Sequence, residues 1–252
     1  MMKLPRFVAI LVIGITVLTV GCASTRDEDQ ILAELANQEK EAIFEIAEEL
    51  YEKKNFEEAR KYFSFVYDTF PNDPLGHKAA LRVADTYAAK KDTTSLTEAR
   101  LRYRDFASRY PNDPDRDYSL LMVGHTYTAR KLKPDRDLSS LLEAVNAYQQ
   151  LLTLYPNSSY AEESEARLVE VRAVLAEHEW IVASFYTRNK RWLGAKWRLE
   201  YLKENYPEYK NMDRVNAELD RVQSKLSERE EEIKKLMEEA QQKAAEQRKE
   251  SS

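Results

Sequence analysis

The 252-residue chain is expected to be all-α: a solenoid of antiparallel helix pairs that ends on one long charged helix. Three observations carry this expectation. Glycine is scarce, five in all, and only Gly76, Gly124 and Gly194 follow residue 22, so a turn-rich β fold would lack its corners. Charged residues make up 33% of the chain, and Ala, Glu, Leu, Lys and Arg dominate, which is a helical composition. An aromatic-proline pair recurs at Phe70-Pro71, Tyr110-Pro111, Tyr155-Pro156 and Tyr206-Pro207, each time behind the same spaced residues.

That spacing defines the elements. Each proline is preceded by a small residue (Ala59, Ala99, Ala144, Ala195), then a large one (Phe63, Tyr103, Tyr148, Leu199), then another (Val66, Phe106, Leu151, Leu202). The steps of four and three residues form one stripe of a helix. Proline cannot continue a helix and biases the residue before it away from the α region, so each helix stops near its aromatic. A partner helix precedes each, marked by a small residue and a larger one a turn later: Ala47/Leu50, Ala84/Tyr87, Gly124/Tyr127 and Ala183/Tyr186. The pattern resembles the tetratricopeptide repeat. That resemblance implies a right-handed solenoid of four repeats, at about 38–73, 76–113, 117–158 and 160–210.

The repeats differ in their insertions. The second has about three extra residues between its helices, around Lys91 to Leu96, and the third about eight within Lys131 to Ser140. The fourth opens with a long helix, from about Tyr160 to Arg188, carrying the apolar ladder Leu168, Val171, Val174 or Leu175, Ile181 and Phe185. From Asp213 to Lys249 there is no proline or glycine. Val215, Leu219, Val222, Leu226, Ile233, Leu236 and Ala240 there fall on heptad spacing, broken by Arg229. The first half of this 211–252 segment is expected to cap the last repeat. The second half, Glu228 to Ser252, is either a solvated extension or half of a coiled coil.

The N-terminus stands apart from the repeats. Lys3 and Arg6 precede an apolar run from Phe7 to Val20, the length of a signal-peptide core and short for a membrane-spanning helix. Leu18-Thr19-Val20-Gly21-Cys22 resembles the lipobox of bacterial lipoproteins, with Thr19 where Leu, Ile or Val is usual. The resemblance implies that residues 1–21 are removed and that Cys22 carries a covalent lipid, with 22–37 as a linker. Two or more acyl chains anchor stably where one does not. The alternative is a simple anchor or secretory signal with an incidental cysteine, but the only cysteine of a secreted chain would then be an unpaired thiol. Ala23, not Asp, follows it, which in the Gram-negative lipoprotein sorting rule implies the outer membrane.

Composition excludes some partners. The net charge is −5, without the clustered positive charge of a nucleic-acid footprint. His77, His125 and His178 lie far apart with no second ligand at zinc spacing. No phosphate loop or nucleophile elbow is present. The expectation is a non-enzymatic protein without cofactor apart from the lipid. Helical solenoids bind extended chains in the groove lined by their first helices. By phase these lining positions are Phe44, Glu48 and Tyr51; Leu81, Asp85 and Ala88; Leu121, His125 and Thr128.

Beyond the repeats, several segments are more distinctive: Asp117-Tyr118 to Gly124, the Asp135-Arg136-Asp137 insertion, Tyr155-Pro-Asn-Ser-Ser-Tyr160, Arg167-Leu168 to Glu179, Val182-Ala183-Ser-Phe-Tyr186-Thr and Trp192 to Pro207. Together with the lipobox they resemble the BamD family, lipoprotein subunits of the β-barrel assembly machinery of outer membranes. The resemblance covers about Cys22 to Pro207. It implies a scaffold and receptor facing the periplasm. Its N-terminal repeats would bind unfolded outer-membrane proteins. Its C-terminal repeats would dock the periplasmic domains of the barrel-forming subunit. Asp135, Arg136, Asp137 and Arg198 are the docking candidates it implies. Read without it, the first three are a charged loop and Arg198 is an exposed helix residue. The long tail departs from the family pattern. It motivates a second reading, a periplasmic repeat lipoprotein that organises cell-wall or envelope-division complexes.

Overall fold

The computed structural model describes residues 38–129, 134 and 138–250. The chain divides into two compact units, 1–39 and 40–252. Of the first, only residues 38 and 39 are described, so the expected signal segment and Cys22 lie outside the described residues, as do Asp135, Arg136 and Asp137.

The described residues form nine helices: α1 Lys40–Glu52, α2 Phe56–Thr69, α3 Pro74–Ala88, α4 Thr93–Arg109, α5 Arg116–Thr128, α6 Ser139–Leu154, α7 Ala161–Arg188, α8 Trp192–Asn205 and α9 Met212–Glu250. Each packs on the helix before it and the helix after it, and α1 also reaches α3. This chain-order packing is that of a tetratricopeptide-like, all-α fold.

The repeated stripe is the core. Ala59, Ala99, Ala144 and Ala195 are buried, as are Phe63, Tyr103, Tyr148 and Leu199 and the third rung, Val66, Phe106, Leu151 and Leu202. Small residues on the facing helix let the pair approach. At Gly124 there is no room for a methyl group: a Cβ there would meet Tyr148 Cε1 at 2.3 Å. The aromatic before each proline closes its helix. Phe70, Tyr110, Tyr155 and Tyr206 share nearly one backbone conformation (φ −119 to −135°, ψ 55 to 68°), and their N–H groups bond the carbonyls of Val66, Phe106, Leu151 and Leu202.

The turns inside the first, second and fourth pairs use lysine where glycine is common. Lys54, Lys91 and Lys190 adopt positive φ of 61°, 60° and 55°. In the first and last pairs the next residue closes the turn, Asn55 N–H to Leu50 O and Arg191 N–H to Tyr186 O, both 2.9 Å, the C-terminal motif that normally favours glycine.

Two expectations are corrected. The extra residues of the second repeat do not form a loop. They add a turn to the start of α4, where Asp92 accepts the N–H of Ser95 at 2.9 Å. The ladder of α7 runs through Val171, Leu175, Ala176, Glu179, Ala183 and Thr187, leaving Ile181 and Phe185 exposed. In α9, Val215, Leu219 and Val222 are buried, while residues 227–247 are all exposed. Among the described residues no helix is long and apolar enough to cross a membrane.

Candidate functional site

The groove candidates of the N-terminal half turn inward more than their phase predicts. Phe44, Leu81, Asp85 and Leu121 are buried; Glu48, Tyr51, Ala88, His125 and Thr128 are half-buried. The reason is the packing pattern. A first helix rests on its own partner and also on a helix of a neighbouring pair, so one residue that phase assigns to the groove is covered instead.

Around Asp85 these residues lock together. Arg82 gives Nε to Glu48 Oε1 at 2.7 Å and Nη2 to Glu48 Oε2, and its Nη1 reaches Asp85 Oδ2 at 2.9 Å. The hydroxyls of Tyr103 and Tyr118 donate to Asp85 Oδ1 at 2.5 and 2.8 Å. The Arg82 guanidinium lies 4.0 Å from the Tyr51 ring centroid. Burial opposes charge on Arg82, but its bonds to Glu48 and Asp85 hold its pKa above the usual arginine value. Burial, then the Asp85 charge, pushes the Tyr103 and Tyr118 hydroxyls up, so both stay protonated donors. A carboxylate with three donors is satisfied without water, so Asp85 is enclosed while Glu48 and Tyr51 stay half-buried beside it.

His125 sits between α5 and α7, its Nε2 3.3 Å from Glu163 Oε1. Burial lowers its pKa, with Glu163 working the other way.

In the C-terminal half, Arg198 is engaged. Its Nη1 donates to both oxygens of buried Glu179, at 3.1 and 2.9 Å, and its guanidinium is 4.9 Å from the Trp197 ring centroid. Beside it, Leu193 and Trp197 are 73% and 58% exposed, and Trp197 stacks on Tyr201 (5.7 Å, 19°). One turn apart on α8, opposite the buried Ala195–Leu199–Leu202 stripe, these two form an apolar surface. Sequence reasoning passed over it, although an apolar pair off the core stripe is a visible signal. His178, read in the sequence only as lacking a second zinc ligand, donates Nδ1 to the Pro134 carbonyl at 2.6 Å. That bond ties Pro134 to α7. Among the described residues no group of His, Cys, Asp or Glu is placed to hold a metal ion.

The fold and these surfaces define a helical-repeat interaction protein. The sequence pattern of the outer membrane lipoprotein family matches residues 36–245, and the chain belongs to that family. Its relatives include two proteins named outer membrane protein assembly factor BamD. The one from Pasteurella multocida is 25% identical over 80% of this chain and 76% of its own length. The one from Rickettsia prowazekii is 26% identical over 81% and 78%. A third of that name, from Xylella fastidiosa, is 37% identical over 73 residues, 29% of this chain. In this last case the chain spans only a quarter of the relative's length.

Proposed function

We propose that this protein is a non-enzymatic scaffold and receptor in the assembly and insertion of β-barrel outer-membrane proteins. The family match over residues 36–245 carries the reading, supported by two relatives, named as assembly factors, that align along most of the chain. Cys22 holds the lipid that anchors it to the outer membrane, with the repeats on the periplasmic side. The N-terminal pairs receive unfolded client segments along Glu48, Tyr51 and His125. The C-terminal pairs dock the periplasmic domains of the barrel-forming subunit through Asp135, Arg136, Asp137 and the Arg198 surface. A rigid helical array suits this task, because a preformed groove lowers the ordering cost of binding an extended chain.

Crosslinking in intact membranes, followed by purification and mass spectrometry, tests it. The expected product is a large outer-membrane barrel protein joined through its periplasmic domains, with barrel proteins declining when this protein is depleted. Recovery of inner-membrane or cell-wall proteins alone would refute it. Cys22→Ser is expected to release the protein from membranes.

A further inference from the structure

A cleft of 610 Å³ opens where the end of α7, the turn to α8 and the start of α9 converge. Its size falls in the range of ligand-binding sites. The indoles of Trp180 and Trp192, both half-buried, line it together with Arg188, Lys190, Arg214 and Arg221. One carboxylate, Glu218, lines it too, 3.6 Å from Arg221 Nη1. Four cations against one acid make this a concentrated positive recess on a chain of net charge −5.

Three features show that local folding does not require this charge. The half-buried cations of this half are paired: Arg172 with Glu208, Lys196 with Glu200, Arg198 with Glu179, Lys225 with Glu228. Among the described residues Arg188, Lys190 and Arg214 have no ion pair, and the Arg214 guanidinium lies 5.0 Å from the Trp180 ring centroid. Arg188 and Lys190 do gain from the negative end of the α7 dipole, but Arg214 stands in the first turn of α9, where the dipole disfavours a cation. Like charges gathered without partners cost stability, a cost expected where a ligand supplies the missing charge.

We propose that this cleft binds an extended acidic peptide segment of a partner protein. Its carboxylates meet Arg188 and Lys190 on one wall and Arg214 and Arg221 on the other, while an apolar side chain between them lies on Trp180 and Trp192. A single small anion would leave most of 610 Å³ empty and the two indoles unused. An apolar peptide would leave the cations unpaired. The site is separate from the Arg198 surface and goes beyond the assembly role proposed above, which stands or falls independently.

The chain has three tryptophans, and the third, Trp197, lies outside the cleft. Full-length protein carrying Trp197→Phe therefore reports the cleft through its remaining indoles. It is titrated with the capped peptide Asp-Glu-Leu-Asp-Glu, with the capped peptide Lys-Lys-Leu-Lys-Lys, with inorganic phosphate, and with phosphatidylglycerol vesicles. The acidic peptide is expected to give a saturable fluorescence change, weakened severalfold between about 0.05 and about 0.3 M salt. Arg214→Glu is expected to weaken it at least about tenfold while melting no lower than the parent, since an acid suits the first turn of α9. Lys190→Asn, which tolerates the positive φ of that turn, is expected to weaken it severalfold. No saturation, an equal response to the lysine peptide or to phosphate, a response confined to vesicles, or undiminished binding in both variants would overturn the proposal.

Discussion

Replacing Asp85 with alanine distinguishes a residue that meets a ligand from one that fastens two repeats together. The carboxylate is 4% exposed and accepts from Tyr103, Tyr118 and Arg82, which come from α4, α5 and its own helix. Its removal strands two hydroxyls, one of them on a fully buried tyrosine, at about 1–3 kcal/mol for each group left unsatisfied. Arg82 keeps Glu48, which limits the loss on that side. Breaking a buried ionic network by removing one partner typically costs about 3–5 kcal/mol, and the two routes agree. For a chain of this size each kcal/mol moves the melting temperature by about 2–4 °C, so the expected drop is about 6–20 °C. Thermal melts followed by circular dichroism measure it. A double-mutant cycle with Tyr103→Phe is expected to be non-additive, because the phenylalanine removes one of the stranded hydroxyls. If Asp85→Ala melts within about 2 °C of the parent, or lowers client binding at unchanged stability, the fastening argument is wrong and Asp85 is a groove residue.

Three further expectations follow from the same geometry. Gly124→Ala drives a Cβ into the Tyr148 ring and is expected to cost about 1–3 kcal/mol by overpacking; a neutral denaturant midpoint, or no rescue by Tyr148→Leu, would contradict it. Residues 228–247 are all exposed, so on deletion of residues 228–252 the melting midpoint is expected to hold while helical signal falls; a switch in oligomeric state on sedimentation would instead mark the tail as half of a coiled coil. Burial lowers the His125 pKa in the folded state, so on acidification the unfolded chain binds that proton first. Stability from this residue is complete above about pH 6.5 and is lost as pH falls through the folded value. Melts from about pH 8 to about pH 5 are expected to show this loss, and His125→Gln to remove that part of the slope.

How much of this was legible in the sequence depended on whether one stripe or two neighbours decide a residue's surroundings. The rungs at Ala59, Phe63 and Val66 and their counterparts could be read because the same spacing recurs before each proline and falls on one stripe of its helix. Phe44, Leu81 and Leu121 could not be placed by phase, because a second helix covers them. In α7 the misreading has a different cause. The buried stripe carries a carboxylate, Glu179, held there by two hydrogen bonds from Arg198. A search for apolar spacing steps over an acid and settles on Ile181 and Phe185, which face outward. The basic cleft was equally hidden, since Arg188, Lys190, Arg214 and Arg221 join only when α9 folds against the end of α7.

A periodicity among the polar residues explains why the pairs hold their shape. The residue two places after each repeated proline bonds to the start of the first helix of its own pair. Asp73 bonds to Lys40, Asp113 to His77 and Ser158 to Asp117. Tyr209 repeats the arrangement with Glu177, inside the long α7. The chemistry changes at every step, from ammonium with carboxylate to imidazole with carboxylate, then to carboxylate with two different hydroxyls. The position is what persists. A proline that stops one helix therefore also sets the residue that clasps the hairpin shut. The Lys40 ammonium holds the Asp73 carboxyl below its usual range, so at least that clasp is charged at neutral pH. Partly exposed bonds of this kind contribute little stability singly. Their value lies in register: each clasp joins the two ends of a pair that the alanine stripe alone would let slide by a turn. The Asp85 network and the Arg198–Glu179 contact then add links of a second kind, across the helix faces. With both sets made internally, the C-terminal half still leaves the outward Leu193–Trp197 surface, the cleft cations and the α9 extension exposed.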